Sequence, residues 1–335
     1  ATVKGFSVTL MLGIIASIIT GVFISRLYLS VIIFWNEDKP PKPGLIGVRE
    51  DGSVRLQLKK MFSFLKNRRI FYIISAAIII IGLVIGGVRG YNFGIDFTGG
   101  TMLQVDIGTQ AEISEVTDIV EDYGCESVQV VYTGEKNDGV IIRTTTFLDN
   151  NQREEVFKLL QDKYDCEDDA LVASEQFGPA VGDELKSNAV KAVIIAAICM
   201  LIYIVIRFRR LEFGLASIIG LLHDVLVTIA FYGIFAVTIN NPFIAGILTV
   251  VGYSINDTIV VFDRIRENLN LTKSKNLLEL CDTSINQILG RSLMTSATTL
   301  VVMIPMFIMV STTIRAFVLP LMIGVIVGSY SSLSI

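Results

Sequence analysis

Seven stretches of this chain stay apolar over membrane-spanning length, roughly 17–25 residues for a helix crossing about 30 Å of hydrocarbon. They run approximately over 5–25, 70–88, 189–206, 214–237, 243–262, 293–310 and 314–335. No charge intervenes from Arg69 to Arg89 or from Arg291 to Arg315, and Lys191 lies near an end of the third stretch, where its stem can snorkel to an interface. Between the second and third stretches the period changes. Thr101–Ile107 alternates as a strand, and Ile113, Val116, Val120 and Tyr123 share one face of a helix. Ser127–Tyr132 and Val140–Thr146 are two further strands around a Gly134–Gly139 turn; Val156, Phe157, Leu160 and Tyr164 mark a second helix, and Leu171–Ser174 a last strand. Strand, helix, strand, strand, helix, strand is the order of a ferredoxin-like α+β domain. The fold class expected is therefore an α-helical polytopic membrane protein with seven spans and one ferredoxin-like domain.

Composition agrees with lipid as a second solvent: 52% of the 335 residues are hydrophobic and 18% charged, whereas a soluble domain carries about a quarter charged. The placement of charge says more than the net −4. Residues 89–186 hold 21 acids and 7 bases, a balance of −14, and the remainder holds 11 acids and 21 bases, a balance of +10. Cations cluster at Lys59–Arg69, at Arg207, Arg209 and Arg210, and at Arg264, Arg266, Lys273, Lys275 and Arg291. All three groups are cytoplasmic together if the chain crosses at every span. The acidic domain is then extracytoplasmic.

The first and last spans resemble one another at a shift of 311 positions: Phe6, Leu10, Met11, Gly13, Ile15 and Ile24 match Phe317, Leu321, Met322, Gly324, Ile326 and Ile335, six of 21 aligned positions. Weak internal symmetry in a multi-span chain suggests two repeats. The chain is then expected to be a piece of a longer one, starting at Ala1 without Met. The expected domains are the last helix of one half (1–35), a cytoplasmic linker (36–69), the first span of a second half (70–88), the outer domain (89–186) and a five-span bundle (187–335). The linker has three prolines in Asn36–Pro43 and a turn expected at Asp51-Gly52, and reads as a tether.

Candidate chemistry is concentrated in a few places. The outer domain shows no nucleophile–base pair, since the single histidine is elsewhere, and its acids lack metal-ligand spacing. Its Cys125 and Cys166 either pair in an oxidising compartment or fill the core. Before it stands Gly94-Ile95-Asp96-Phe97-Thr98-Gly99-Gly100, either a tight turn in which Asp96 bonds nearby amides or a hinge between membrane and outer domain. Inside the spans, two acids lie deep, in His223-Asp224 and in Asn256-Asp257. A charged carboxylate there costs at least about 2.5–3.5 kcal/mol, so each must face the bundle interior, pair or be protonated. A satisfied interhelical hydrogen bond is the plain alternative. Asp257 sits in Gly252-Tyr253-Ser254-Ile255-Asn256-Asp257-Thr258, more polar than packing requires, and Arg291 at the start of the sixth span is either an interfacial anchor or its ion-pair partner. A pair that breaks on protonation is a proton gate.

These motifs, in order Gly94–Gly100, Phe177–Gly182, His223-Asp224, Gly252–Thr258 continuing through Val261–Asn268, and Ser284–Gln287 leading to Arg291 and Met294-Thr295-Ser296, closely resemble SecF over essentially the whole chain; the opening Val3–Arg26 looks like the last helix of SecD. The resemblance implies an accessory factor of the Sec translocase, of the resistance-nodulation-division type, that uses the proton gradient for late export of unfolded preproteins. It implies a transport factor rather than an enzyme, with protons as coupling ion and no other cofactor. Implied partners are a SecD-like half, the SecYEG channel, the translocating preprotein and membrane lipid, with no nucleic acid. It places Asp257, Arg291 and Asn256 on the proton path, and the residues themselves add Asp224 and His223 as further candidates. Rival readings are a proton-driven exporter of lipids or small molecules and a purely structural membrane partner.

Overall fold

The computed structural model describes residues 2–34, 62–134, 138–167, 169–271, 276–309 and 312–335. The expected Asp51-Gly52 turn and the prolines of Asn36–Pro43 lie outside them, as does the middle of the Gly134–Gly139 turn. In chain order the elements are α1 (Thr2–Ile19), a π-helical turn (Thr20–Ile24), α2 (Ser25–Phe34), α3 (Arg68–Arg89), α4 (Ile95–Thr98), β1 (Gly100–Asp106), α5 (Ile113–Asp122), β2 (Gln129–Thr133), β3 (Gly139–Thr144), α6 (Asn150–Tyr164), β4 (Leu171–Phe177), α7 (Pro179–Phe208), α8 (Leu211–Phe235), α9 (Asn241–Leu271), α10 (Leu277–Met309) and α11 (Thr312–Ser334). Among the described residues seven helices are long and apolar enough to cross a membrane, and they coincide with the seven expected stretches. At about 1.5 Å per residue, α9 with 31 residues and α10 with 33 outrun the hydrocarbon. Their polar ends, read from sequence as loop, continue as helix.

The chain divides into two compact units, Ala1–Leu65 with Asp263–Thr295, and Lys66–Phe262 with Ser296–Ile335. In the first, α1, the π turn and α2 run on in sequence, with the described side chains from Met11 to Tyr28 all exposed. The Thr20 and Ser25 hydroxyls donate within that rod, to the carbonyls of Ala16 at 2.9 Å and Thr20 at 3.0 Å, as apolar surroundings require. The ends of α9 and α10 in this unit are joined by side-chain amides. Asn268 Nδ2 donates to Ser284 Oγ at 2.8 Å and Gln287 Oε1 at 2.9 Å, and Arg264 Nε donates to the same Gln287 oxygen at 2.6 Å. Arg264, counted from sequence among the clustered cations, thus helps tie two helices. Asn286 accepts from Phe62 N and donates to Phe62 O, both at 2.8 Å, so the described end of the linker is fixed to α10.

In the second unit the four strands form one antiparallel sheet, ordered β2-β3-β1-β4. This is the ferredoxin-like order expected. Alternation on β1 sends Leu103 and Val105 into a core closed by Val116 and Val120 of α5 and Val156 and Leu160 of α6. Burying each such side chain is worth about 1.5–3 kcal/mol. Asp149 and Gln152 form a reciprocal capping box that starts α6. Cys125 and Cys166 are both free and both belong to this core. Burial pushes both thiols up, so they stay protonated and inert.

Among the membrane helices, α3 and α8 approach through small residues. A Cβ on Gly82 would stand 2.3 Å from that of Ala230, and one on Gly233 would stand 2.7 Å from the Gly82 carbonyl. Gly82 and Gly86 are four apart on α3, the spacing that lets membrane helices touch backbone to backbone. Where α7 turns into α8, the rings of Phe208, Phe213 and Phe262 meet with centroids 4.7–5.8 Å apart.

Candidate functional site

Polar side chains in lipid must find one another, and Asp224 on α8 is where they converge. Its side chain is fully buried, with His223 Nδ1 at 2.8 Å from Oδ1. Ser254 of α9 donates to Oδ2 at 2.5 Å and Ser331 of α11 donates to the same oxygen at 2.9 Å. Gly328, one turn before Ser331, packs close to Ser254: a Cβ there would lie 3.3 Å from the Ser254 Cβ. The carboxyl therefore cross-links three helices. A network of this kind is stable only when every lone pair is answered.

Around it lies a second layer. The His223 ring is 6.1 Å from that of Tyr330, whose hydroxyl donates to the Phe71 carbonyl at 3.0 Å and shares a hydrogen bond with Ser75 of α3 at 3.1 Å. Ser296 and Ser329 are hydrogen-bonded, as are Tyr253 and Thr299 at 2.6 Å. Among the described residues His223 Nε2 is buried without a hydrogen-bond partner, while Nδ1 is engaged by Asp224.

Asp257 is buried at 4% exposure on α9, three residues beyond Ser254. Three residues are about 4.5 Å of rise and nearly a full turn, so the Asp224 contact and Asp257 belong to one helix face. Asn256 is exposed. Arg291 is exposed too, and belongs to the first compact unit, where its carbonyl accepts the Thr295 hydroxyl at 2.9 Å. Sequence reasoning named His223, Asp224 and Asp257 but missed Ser331, Tyr330 and Ser75. A signal for the first two existed: Ser329-Tyr330-Ser331-Ser332-Leu333-Ser334 is dense in hydroxyls for a span.

The Gly94–Gly100 segment holds a single turn of helix, with Ile95 and Phe97 buried and Gly99 and Gly100 at φ +81° and +140°. A Cβ on Gly100 would stand 2.1 Å from the Thr144 carbonyl, so only glycine fits beside β3. The amide that Asp96 accepts is not a neighbour in sequence but Asn241 N, at 2.8 Å, at the start of α9.

This chain matches the family model described as protein export membrane protein SecD/SecF, C-terminal, over residues 157–335, and the SecD/SecF GG motif over residues 84–111. It is 37% identical to the protein translocase subunit SecF of Haemophilus influenzae, covering 85% of this chain and 87% of that one. The chain belongs to the SecD/SecF family. To the SecDF of Thermus thermophilus it is 34% identical over 99% of its length, which is 43% of that relative. The chain thus spans less than half of the fused SecDF but most of a separate SecF. The crystal structure of the Thermus thermophilus SecDF, described as a translocon-associated membrane protein, matches with a TM-score of 0.84 at 31% identity, covering all of this chain and 44% of that one. A SecDF structure in a super-membrane-facing form matches with 0.70. The stretch matched by the GG motif contains the Gly94–Gly100 segment.

Proposed function

We propose that this chain acts in the Sec translocase, as its SecF and SecDF relatives are named for doing, and couples proton movement through the membrane to late export of unfolded preproteins. The observation that carries the reading is the buried pair of carboxyls on adjacent helices: Asp224 on α8 is hydrogen-bonded to Ser254 of α9, and Asp257 follows on the same face. Acids this deep in a membrane protein mark ion and proton routes. Protonating Asp224 on Oδ2 takes one of the two lone pairs that the serines use, which unseats one of them and loosens α9 or α11. One charge crossing 100 mV supplies about 2.3 kcal/mol. That shifts a two-state equilibrium roughly fiftyfold, enough to bias a domain motion.

In this reading Asp257 takes the proton on a path to which Arg291 also belongs, with Asn256 beside them, and His223-Asp224 relays or senses it. The outer domain lies outside the cell membrane and engages the emerging chain or a SecD-like half, and the assembly docks on SecYEG. The test is Asp257→Asn in the complete protein. Gradient-dependent stimulation of preprotein translocation into membrane vesicles is expected to vanish while the ATP-driven step and assembly persist; normal stimulation would sink the assignment.

A further inference from the structure

The outer domain meets the membrane helices through a joint that the Gly94–Gly100 segment builds. Gly94 N donates to the Ile239 carbonyl at 2.8 Å and Ile239 N to the Asn92 carbonyl at 2.7 Å, a short parallel bridge between Phe93 and Ile239. Asn92 Nδ2 adds bonds to Thr238 Oγ1 at 3.0 Å and to the Ala236 carbonyl at 3.4 Å. On the other side Gly100 is pressed on Thr144, and a Cβ on Gly182 of α7 would lie 2.6 Å from the Phe97 carbonyl. The segment therefore cannot slide against β3, α7 or the α8–α9 loop without breaking backbone contacts.

Asp96 stands in the middle of this joint. The first turn of any helix has amides without partners and a partial positive charge. Asn240 satisfies one amide of α9 locally, accepting from Phe243 N at 3.1 Å. Asp96 supplies a carboxyl acceptor to another from 145 positions away. It also faces a cation: its charge favours the protonated Arg143 of β3, opposing the burial that pulls that guanidinium down. One carboxylate thus bonds the leading end of α9, the helix that carries Ser254 and Asp257, while its charge acts on Arg143 of the sheet and its own segment is pressed on β3 where Gly100 meets Thr144.

We propose that Asp96 is a positioning residue that couples the outer domain to α9, so that a change at Asp257, midway along the helix, is felt at the joint and the reverse. This rests on the proton-coupled reading only for its purpose; the coupling itself is separately measurable. Hydrogen exchange of the Gly94 and Ile239 amides is compared in the complete protein with and without Asp257→Asn, in backgrounds carrying Asp96 or Asp96→Ala. With Asp96 present, Asp257→Asn is expected to change both exchange rates by between about twofold and thirtyfold. In Asp96→Ala the same substitution is expected to leave them unchanged.

An equal response in both backgrounds, or none in either, overturns the coupling. A merely structural Asp96 would lower the melting temperature yet keep the response. Should Asp96→Ala fail to assemble, Asp96→Asn keeps one oxygen acceptor without the charge: a reduced response is expected there, and a full one overturns the proposal. Loss of gradient-driven stimulation in Asp257→Asn with no exchange response removes the joint but not the proton reading. The opposite pattern removes the proton reading but not the joint.

Discussion

A carboxyl at Asp224 has no water to satisfy it, so its oxygens are answered by a ring nitrogen on its own helix and hydroxyls from two others. Interhelical hydrogen bonds in membranes average about 0.6 kcal/mol and reach about 1.7. Ser254→Ala and Ser331→Ala are each expected to cost within that range, measured by reversible unfolding in mixed micelles. Because both hydroxyls serve Oδ2, the double variant should cost more than the sum, since the oxygen is then left bare. Additive losses would show the two contacts to be independent. Asp224 and Asp257 were legible in the sequence because acids in apolar stretches are rare. Their partners were not, because a serine on α11 becomes a ligand of Asp224 only when the helix is rotated and docked, 107 positions away.

At the scale of elements, α5 and α6 are joined across their outer faces by two phenol–carboxylate bonds, Tyr123 to Glu155 at 2.6 Å and Tyr164 to Glu115 at 3.1 Å. The hydrogen bond to Glu155 pushes the Tyr123 phenol up to about 12, and burial with the bond to Glu115 does the same for Tyr164. The folded values lie above the ordinary 10, so the neutral phenols stabilise the folded domain. That stabilisation is complete below pH about 10 and is lost as pH rises through about 12. Tyrosine absorbance near 295 nm should show two residues titrating near 12 in the folded protein, with the melting temperature falling over the same interval. Substituting Glu155→Gln should return Tyr123 toward 10. The helices themselves were readable from the spacing of Val116, Val120, Val156 and Leu160, whereas these tyrosines read only as face markers. Their hydroxyls find acids on the opposite helix.

Over the whole molecule the proposed orientation rests on the asymmetry of charge. Lys and Arg are held on the cytoplasmic side during insertion, so the domain of balance −14 is expected outside. Asp122 on α5 and Asn270 at the end of α9 are both exposed. A membrane-impermeant thiol reagent should label Asp122→Cys in intact cells and Asn270→Cys only after lysis. The reverse pattern would invert the orientation and with it the sense of the proton step. The buried Cys125 and Cys166 should stay unlabelled in either case.

The sequence by itself determined the spans, the order of the outer domain and the deep acids, because each is a local matter of period, length or solvation cost. It also carried the family, through short motifs that keep their order along the chain. Only the tertiary structure decided what those residues do to one another. Gly94–Gly100 read either as a turn bonding nearby amides or as a hinge between membrane and outer domain, and its carboxylate caps a helix at Asn241. Arg264 counted only as one of a cluster of cations, yet it braces α9 against α10 through Gln287. In both cases an unsatisfied polar group took the nearest partner in space, and distance along the chain does not encode that.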